Sequence, residues 1–315
     1  MLINMQKCAV IGCGNVGAAT AYTLAINGIF SEIVLLDVNQ SKAHGEAMDI
    51  VHGLPFANPV KVYAGNYDDL SDCSLVIIAA GAGQKEGETR LDLVEKNVKI
   101  FSQIIPQITA RNRECILLVL SNPVDVLTYV TLKLSDFPPE QVIGSGTVLD
   151  TARFKYLLGV HLGVDMRNIH AFIIGEHGDS ELAVWSSANV SGIDLDEYCR
   201  ICGTGENKES MYGLYDEVKN AAYTIIEEKG ATYYAIAMSA CRIAKAIARD
   251  EHSVLTVSAL VDGHYGIFDV CMGIPCIVGK NGVEKVLDIP LSKLEQKYLA
   301  ESADTLFSVI KKLKI

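Results

Sequence analysis

His177 is the side chain whose surroundings first suggest chemistry. It lies in the segment Gly-Glu-His-Gly-Asp-Ser-Glu at positions 175–181, where glycines flank the imidazole and carboxylates stand close to it in sequence. Histidine titrates near neutral pH, so it can donate and accept a proton during a reaction. Because most histidines are structural, the segment becomes informative only together with a glycine motif and two arginines elsewhere in the chain.

The glycine motif is Gly-Cys-Gly-Asn-Val-Gly at positions 12–17. It follows an apolar strand predicted at Lys7–Ile11 and opens a stretch with helical character. Gly12 permits a tight turn, Gly14 lets the backbone approach a pyrophosphate, and Gly17 lets helix and strand pack closely. The helix N-terminus offers free N–H groups to phosphate oxygens. This context predicts dinucleotide binding, although a tight strand–helix turn without a ligand would use similar residues.

Asp37 indicates which dinucleotide is expected. It ends the second predicted strand, 20 residues after Gly17. A carboxylate there accepts hydrogen bonds from the ribose hydroxyls of the adenosine and repels a 2′-phosphate. The sequence therefore favours NAD over NADP.

A second glycine-rich segment runs from position 80 to Arg90, directly after the predicted strand Leu75–Ala80. Ligands bind at the carboxyl ends of such strands, and glycines allow a loop there to move as a lid. Arg90 on a closed lid would polarise a carbonyl oxygen. The alternative is a solvated loop.

Three further polar residues follow predicted strands or open a helix. Asn122, after the strand Ile116–Leu120, can hydrogen-bond a substrate oxygen, although a simple turn predicts similar residues. Asp150 and Arg153 are three residues apart and share a helical face, so an ordinary ion pair is one interpretation. In the functional interpretation, Arg153 grips a carboxylate with its planar fork and Asp150 orients the imidazole of His177.

The elements that must position these residues change character along the 315-residue chain. Continuous apolar runs alternate with helical patterns in the first half, which predicts an α/β, Rossmann-type doubly wound parallel sheet. Helical patterns and mixed strand segments follow, typical of a mixed α+β domain. We expect an NAD-binding domain at residues 1–144 and a substrate-binding, catalytic domain at residues 145–315.

Composition excludes several other classes of function. A net charge of −11 argues against general affinity for nucleic acid or anionic membranes. No apolar run approaches a membrane span and no signal peptide pattern is found, so a cytoplasmic location is expected. Nine irregularly spaced cysteines suggest reduced thiols. Cys199 and Cys202 have metal-site spacing, but no second ligand pair follows, so no metal is predicted.

Together these motifs resemble those of the lactate and malate dehydrogenase family. The resemblance rests on the glycine motif with Asp37 and on Lys-Gly-Ala-Thr at positions 229–232, together with positions 84–90, 121–125, 146–153 and 175–179. The motifs follow the family's order along nearly the whole chain and are closest to its bacterial, L-lactate-specific members. The resemblance implies an oxidoreductase that moves hydride between NAD and a small 2-oxo acid.

The resemblance also implies a role for each matching residue. His177 is the implied proton donor and acceptor, with Asp150 as its partner. Arg153 would bind the substrate carboxylate, and Arg90 would polarise the carbonyl group from the mobile loop. The other residues implied to contact substrate are Gln84, Asn122 and Thr232. The residues implied to bind the cofactor are Gly12, Gly14, Val16, Gly17, Asp37, Lys42, Tyr67, Gly81, Ala82, Ser121, Asn122 and Ser145.

Gln84 bears on substrate choice. Family members that act on malate usually carry arginine at this loop position, where it meets the second carboxylate of oxaloacetate. A neutral Gln84 leaves that carboxylate unpaired in a closed site, at a cost in free energy, whereas pyruvate has only a methyl group there. The sequence therefore favours pyruvate and L-lactate. The alternatives are an L-2-hydroxyacid dehydrogenase for larger 2-oxo acids, a malate dehydrogenase, or a catalytically silent NAD-sensing binding protein.

The resemblance extends to assembly and regulation. Members of the family are usually homotetramers, and fructose 1,6-bisphosphate bound between subunits often activates the bacterial ones. Lys155 and His170 match the positions of that allosteric site. Both residues also have ordinary explanations, as a solvated helix residue and a histidine at the start of a strand.

Overall fold

The first half of the chain forms alternating strands and helices. The computed structural model describes residues 3–83, 90–203 and 208–313. The elements up to residue 144 are β1 (Asn4–Ile11), α1 (Asn15–Asn27), β2 (Glu32–Leu36), α2 (Gln40–Gly53), β3 (Lys61–Ala64), β4 (Cys73–Ile78), α3 (Arg90–Thr109), β5 (Ile116–Val119), α4 (Val124–Ser135) and β6 (Val142–Gly144). The first strand begins at Asn4, three residues before the predicted start, because its N-terminal end also pairs with β4 through Asn4 and Cys73.

These six strands form the predicted doubly wound sheet. Their order is β3-β2-β1-β4-β5-β6, and every neighbouring pair is parallel. Every residue of β4 is buried, as expected for a central strand covered by helices on both faces. The strand order reverses beside β1, and ligands of such sheets bind at this switch point, outside the carboxyl ends of the strands.

The second half adds helices and three groups of strands. Its elements are α5 (Val148–Leu162), β7 (Ile169–His170), β8 (Ile173–Ile174), β9 (Leu182–Ala183), β10 (Asn189–Val190), β11 (Ile193–Asp194), α6 (Leu195–Cys202), α7 (Lys208–Lys229), α8 (Tyr234–Ala248), β12 (Ser253–Val261), β13 (Val270–Gly279), β14 (Gly282–Val286) and α9 (Lys293–Ile310). Strands β8 and β9 form a two-stranded antiparallel sheet, and β7, β10 and β11 form a three-stranded one.

Strands β12, β13 and β14 continue the large sheet instead of forming a separate one. Strand β12 runs antiparallel to β6, where Ser258 lies opposite Gly144, and the whole sheet has nine strands. Gly144 makes this junction possible, since a Cβ atom there would lie 2.3 Å from Oγ1 of Thr128 and 2.8 Å from Cβ of Ser258. The two halves of the chain therefore share one continuous sheet, which periodicity alone did not predict.

Helix α9 begins with a capping box, which the spacing of Ser292 and Glu295 in the sequence predicts. The Ser292 side chain accepts a hydrogen bond from the Glu295 backbone, and the Glu295 carboxylate accepts one from the Ser292 backbone. The apolar residues of this segment predict a buried face that includes Leu294, Tyr298, Leu306, Val309 and Ile310. The prediction is wrong for Leu294 and Tyr298, because both are exposed. The buried face is Glu295, Leu299, Ser302, Ala303 and Leu306. The helix is rotated because Glu295 faces inward to bind the backbone and hydroxyl of Ser186.

No helix in the described ranges has both the length and the apolar character required to cross a membrane. All nine cysteines lie within these ranges as free thiols, and eight of them are buried. In Cys13, for example, the thiol packs behind the glycine turn, where burial raises its pKa to about 12.

Candidate active site

The turn between β1 and α1 is built for close approach of backbone. Gly12 has a φ of +96°, and a Cβ atom there would lie 2.5 Å from the backbone nitrogen of Ala80. A Cβ atom on Gly17 would lie 1.7 Å from the carbonyl oxygen of Gly12. Gly14, by contrast, faces open space and caps α1 without a side-chain hydrogen bond. The first turn of α1 therefore presents N–H groups beside room for a phosphate.

Asp37 is held against this turn. Its Oδ2 accepts a hydrogen bond from the backbone N–H of Cys13 at 2.7 Å, and its Oδ1 accepts one from the backbone N–H of Asn39 at 2.8 Å. The carboxylate is thus fixed at the carboxyl end of β2, next to the glycine turn. Lys42 is exposed in the first turn of α2, and Tyr67 is half-buried after β3.

The loops after β4 and β5 are tied together by Asn97 of α3. Its Oδ1 accepts from the backbone N–H of Ala82 at 2.8 Å, and its Nδ2 donates to the carbonyl oxygen of Asn122 at 2.7 Å. Asn122 precedes a cis peptide bond to Pro123, and its side chain is exposed. These contacts align the two loops at one edge of the sheet.

Small polar residues complete this edge. Gly81 lies directly before Ala82, and the hydroxyl of Ser121 donates to the carbonyl oxygen of Ala80 at 2.7 Å. The backbone N–H of Ser145 donates to the carbonyl oxygen of Val119 at 2.9 Å, after β6. The carboxyl ends of β1, β2, β4, β5 and β6 therefore all contribute predicted cofactor residues to the same side of the sheet.

His177 and Asp150 form a directly bonded pair. Nδ1 of His177 lies 2.6 Å from Oδ2 of Asp150, whose side chain is only 3% exposed. The imidazole retains 24% exposure, so one edge of the ring remains accessible. With Nδ1 donating to the carboxylate, Nε2 is the nitrogen that can face a substrate oxygen.

Arg153 binds the other oxygen of the same carboxylate. Its Nη1 donates to Oδ1 of Asp150 at 2.9 Å, so the structure contains the ion pair that helical spacing predicts as well as the pair with His177. Burial by itself would raise the pKa of Asp150, but the charges of His177 and Arg153 hold it below its ordinary value. Burial by itself would lower the pKa of His177, but the Asp150 carboxylate outweighs burial and raises it to about 9.

Asp125, for which the sequence predicts no role, also contacts His177. Its Oδ2 accepts a hydrogen bond from the backbone N–H of His177 at 2.7 Å, across 52 residues of sequence. Burial raises the pKa of Asp125 to about 6. The signal in the sequence is an acidic residue in a first helical turn that is otherwise apolar, between Val124 and Val126.

The loop that carries His177 is fixed by its backbone on two further sides. The backbone N–H of Glu176 donates a hydrogen bond to the hydroxyl oxygen of Ser302 on α9 at 2.8 Å. Gly175 and Gly273 of β13 exchange both N–H···O bonds at 2.8 Å. A Cβ atom on Gly175, whose φ is +96°, would lie 2.8 Å from the hydroxyl oxygen of Ser302. His177 is therefore presented by a rigid loop between β13, α4, α5 and α9.

Two family models cover almost the whole chain. Residues 6–144 match the lactate/malate dehydrogenase NAD binding domain, and residues 147–314 match the lactate/malate dehydrogenase alpha/beta C-terminal domain. The chain belongs to the lactate/malate dehydrogenase family. This dehydrogenase is therefore an oxidoreductase with NAD as its cofactor, as the glycine motif predicted. Its substrate is a small molecule.

Individual relatives support the same assignment. The L-lactate dehydrogenase of Acetivibrio thermocellus is 56% identical to this dehydrogenase, over 99% of this chain and 98% of the relative. The L-lactate dehydrogenase of Thermoanaerobacter pseudethanolicus is 53% identical, over 99% of this chain and 100% of the relative. A solved structure, the minor L-lactate dehydrogenase from Enterococcus mundtii in a ligands-bound form, has a TM-score of 0.95 at 43% identity. That alignment covers 98% of this chain and 99% of the other.

The described residues fit NAD. Gly14 leaves room where a phosphate would meet the uncapped start of α1, and the fixed Asp37 carboxylate lies where ribose hydroxyls would bind. The dehydrogenase therefore presents both the anion-binding and the diol-binding groups at one end of its sheet.

The remaining predicted residues lie on other segments, and two of them fall wholly or partly outside the described residues. Thr232 is half-buried in the link between α7 and α8. Gln84 lies outside the described residues, and Arg90 begins α3 with its side chain outside them as well. Lys155 is half-buried on α5, and His170 is exposed on β7, a strand that packs against α5.

Proposed function

We propose that the protein is an NAD-dependent L-lactate dehydrogenase that reversibly reduces pyruvate to L-lactate. The observation that supports this most is the His177–Asp150 pair, fixed at 2.6 Å beside Arg153 at the end of a dinucleotide-binding sheet. The two relatives described above are named L-lactate dehydrogenases and are 56% and 53% identical over 98% and 100% of their lengths, which supports pyruvate and L-lactate as the substrates. Gln84 supports it independently, because it brings no charge for a second carboxylate.

His177 is the proposed proton donor for pyruvate reduction and proton acceptor for lactate oxidation. Because the Asp150 carboxylate raises the pKa of His177 to about 9, the imidazole is charged at neutral pH and ready to protonate the substrate oxygen through Nε2. Asp150 also fixes the ring orientation through Nδ1. The accessible ring edge and the rigid loop place the proton at a defined point.

The substrate would be held by residues from both halves of the chain. Arg153 would bind the carboxylate with guanidinium nitrogens other than the Nη1 bonded to Asp150. Arg90 would polarise the carbonyl group, and Asn122 would donate to the substrate oxygen while contacting the nicotinamide. Thr232 and Gln84 would line the side of the pocket that receives the methyl group.

The proposed cofactor site follows the carboxyl edge of the sheet. When bound, NADH supplies the hydride that adds to the carbonyl carbon. The chain's own part is to bind and orient it, through the pyrophosphate at the glycine turn and the ribose at Asp37. The proposed contacts are Gly12, Gly14, Val16, Gly17, Asp37, Lys42, Tyr67, Gly81, Ala82, Ser121, Asn122 and Ser145. We also propose that residues 1–144 form the NAD-binding domain and residues 145–315 the catalytic domain.

The decisive assay follows NADH absorbance with a panel of 2-oxo acids. We expect kcat/KM to be highest for pyruvate. A higher value for oxaloacetate would indicate a malate dehydrogenase, and a higher value for a longer or branched 2-oxo acid would indicate a broader hydroxyacid dehydrogenase. Binding of NADH without turnover of any substrate would indicate an NAD-sensing protein.

We further propose a homotetramer, located in the cytoplasm, that fructose 1,6-bisphosphate activates weakly. The free thiols favour a reducing compartment. Lys155 offers the bisphosphate a point charge instead of a planar fork, and a histidine side chain attracts phosphate mainly when it is protonated. The effector should lower the KM for pyruvate more at about pH 6 than at about pH 8. The Lys155→Ala/His170→Ala variant should lose this effect, and an unchanged KM in the wild type at both pH values would exclude the site.

A further inference from the structure

Glu181 is a buried acid beside the proton-transfer pair that the proposed mechanism does not use. Its side chain belongs to a residue only 6% exposed, and its Oε1 has no hydrogen-bond partner among the described residues. One of its carboxylate oxygens, one of Asp150 and a ring nitrogen of His177 all lie within 4.8 Å of one another. A buried carboxylate oxygen without a hydrogen-bond partner is costly to a fold, so its position beside an imidazole calls for an explanation.

The backbone of Glu181 is held in place. Its N–H donates to the carbonyl oxygen of Gly178 at 3.1 Å, and its carbonyl oxygen accepts a hydrogen bond from the hydroxyl of Tyr215. The side chain therefore reaches the His177–Asp150 pair from a fixed starting point. Because the hydroxyl of Tyr215 is engaged with the backbone, the carboxyl group of Glu181 is left to interact with its charged neighbours.

Glu181 also lines a cavity. The cavity has a volume of about 920 Å³ and is bounded by α7 and α9, with Tyr215, Lys219, Leu294 and Tyr298 among its lining residues. Leu294 and Tyr298 are exposed, so the cavity reaches the surface. Asn122, Arg153 and Thr232 do not line it. Glu181 thus lies between the active-site imidazole and a second region of solvent.

We propose that Glu181 is a positioning residue that acts through His177: its carboxylate, beside the imidazole, keeps the ring charged as the pH rises and so extends pyruvate reduction into alkaline solution. The proposal rests on the proposed function of His177 as proton donor. It assigns Glu181 no contact with substrate or cofactor.

The charges around Glu181 are consistent with this role. Burial and the negative charge of Asp150 raise its pKa to about 8, while His177, Lys219 and Arg153 oppose that rise. On α4, Asp125 also favours the charged imidazole. Glu181 therefore becomes ionised over the pH range in which His177 would begin to lose its proton. A new negative charge at that point holds the proton on the ring.

The test compares Glu181→Gln, Glu181→Asp and the wild type by kcat/KM for pyruvate as a function of pH. We expect Glu181→Gln to match the wild type in acid and to lose activity at a pH about one unit lower on the alkaline side, because one favourable charge is removed. In alkaline solution, a shift of one pH unit corresponds to about a tenfold loss of kcat/KM. Glu181→Asp should restore most of the alkaline activity, since it keeps the charge.

Glu301→Gln is the matched control, because Glu301 lines the same cavity but is exposed and pairs with Lys297. It should leave the pH profile unchanged. Titration of the His177 ring by NMR in the NADH complex gives a direct second measurement, and the imidazole of Glu181→Gln should titrate at lower pH.

An equal loss of activity at every pH, or an unmoved imidazole titration, would overturn the proposal and leave the proposed function standing. Failure of the wild type to oxidise NADH with pyruvate would instead remove the proposed function itself. Retained NADH affinity in Glu181→Gln establishes that the variant is folded.

Discussion

Replacement of Asp150 by asparagine tests the proton-transfer pair at its centre. The change keeps the size of the side chain and an acceptor oxygen near Nδ1 of His177, but it removes the negative charge that now lies 2.6 Å from the ring. It also removes the ion pair in which Nη1 of Arg153 lies 2.9 Å from Oδ1 of Asp150. We expect the variant to bind NADH normally, because Asp150 lies on α5 and not at the glycine turn.

The size of the effect follows from the pKa of His177. The rise from 6.5 to about 9 corresponds to about 3 kcal/mol in favour of the charged imidazole. In the variant, the largest charge that opposes burial is gone, so the pKa of His177 falls and a smaller fraction of the rings is protonated at neutral pH. The loss of orientation adds to this. Acid–base assistance is typically about 10²–10⁴-fold, and we expect a loss of kcat/KM in that range.

The assay measures kcat/KM for pyruvate between mildly acidic and alkaline pH. Because reduction requires the protonated ring, activity of Asp150→Asn should recover partly as the pH falls, and its alkaline decline should begin at a lower pH than in the wild type. NADH affinity, measured by fluorescence, is the control for folding. A variant with near-normal activity at neutral pH, or one whose loss is the same at every pH, would refute the role given to Asp150.

Three further changes test other parts of the structure. Gln84→Arg should raise kcat/KM for oxaloacetate and lower it for pyruvate, because only a dicarboxylate can pair the new charge; an unchanged ratio would mean that Gln84 does not face the substrate. Asp37→Ser should reduce the preference for NADH over NADPH by about tenfold or more, since repulsion of the 2′-phosphate is removed; the ratio of the two kcat/KM values measures this. Glu295→Gln should lower the free energy of unfolding by about 1–3 kcal/mol at neutral pH, because its carboxylate accepts hydrogen bonds from Ser186 and Ser292. Burial by itself would raise the pKa of Glu295, but these hydrogen bonds outweigh burial and lower it. The stability that the Glu295 carboxylate contributes is therefore fully present above the ordinary pKa of glutamate and is lost as the pH falls through the lowered pKa. The free energies of unfolding of the variant and the wild type, measured by denaturation, should accordingly converge in acid.

The first half of the fold could be predicted from local patterns. Helix α1 spans Asn15–Asn27, where the sequence predicts helical character after the glycine motif, and Gly28 ends it in the left-handed conformation. Continuous apolar runs marked the parallel strands, because both faces of these strands are covered by helices. The information lies within each segment, so a pass along the sequence is sufficient to find it.

The parts that were missed depend on contacts between distant segments. The continuation of the sheet through β12 depends on the pairing of Ser258 with Gly144, which no periodicity records. The inward rotation of α9 depends on the hydrogen bonds of Glu295 to Ser186, 109 residues earlier. A polar residue on a helix ordinarily predicts an exposed face, and here a buried carboxylate reverses that expectation.

The candidate site combines both kinds of information. The residue types of His177, Asp150 and Arg153 were sufficient to suggest their chemistry, but the sequence did not predict the distances between them. Asp125 and Glu181 were not assigned roles, because a carboxylate in a polar motif ordinarily indicates a solvated residue. Their burial around one imidazole becomes visible only when α4, α5 and the loop that carries His177 are packed together.

The connection between Asp125 and His177 gives the continuous sheet a mechanical role. Asp125 lies in the first turn of α4, directly after the loop of Asn122, while His177 belongs to the second half of the chain. Their hydrogen bond joins the proton-transferring loop to the carboxyl end of β5, at the edge where the cofactor residues lie. The pairing of β6 with β12 ties the same two halves through the sheet. Because His177 is held from both sides, its position relative to the edge where the cofactor residues lie is set by the core of the protein.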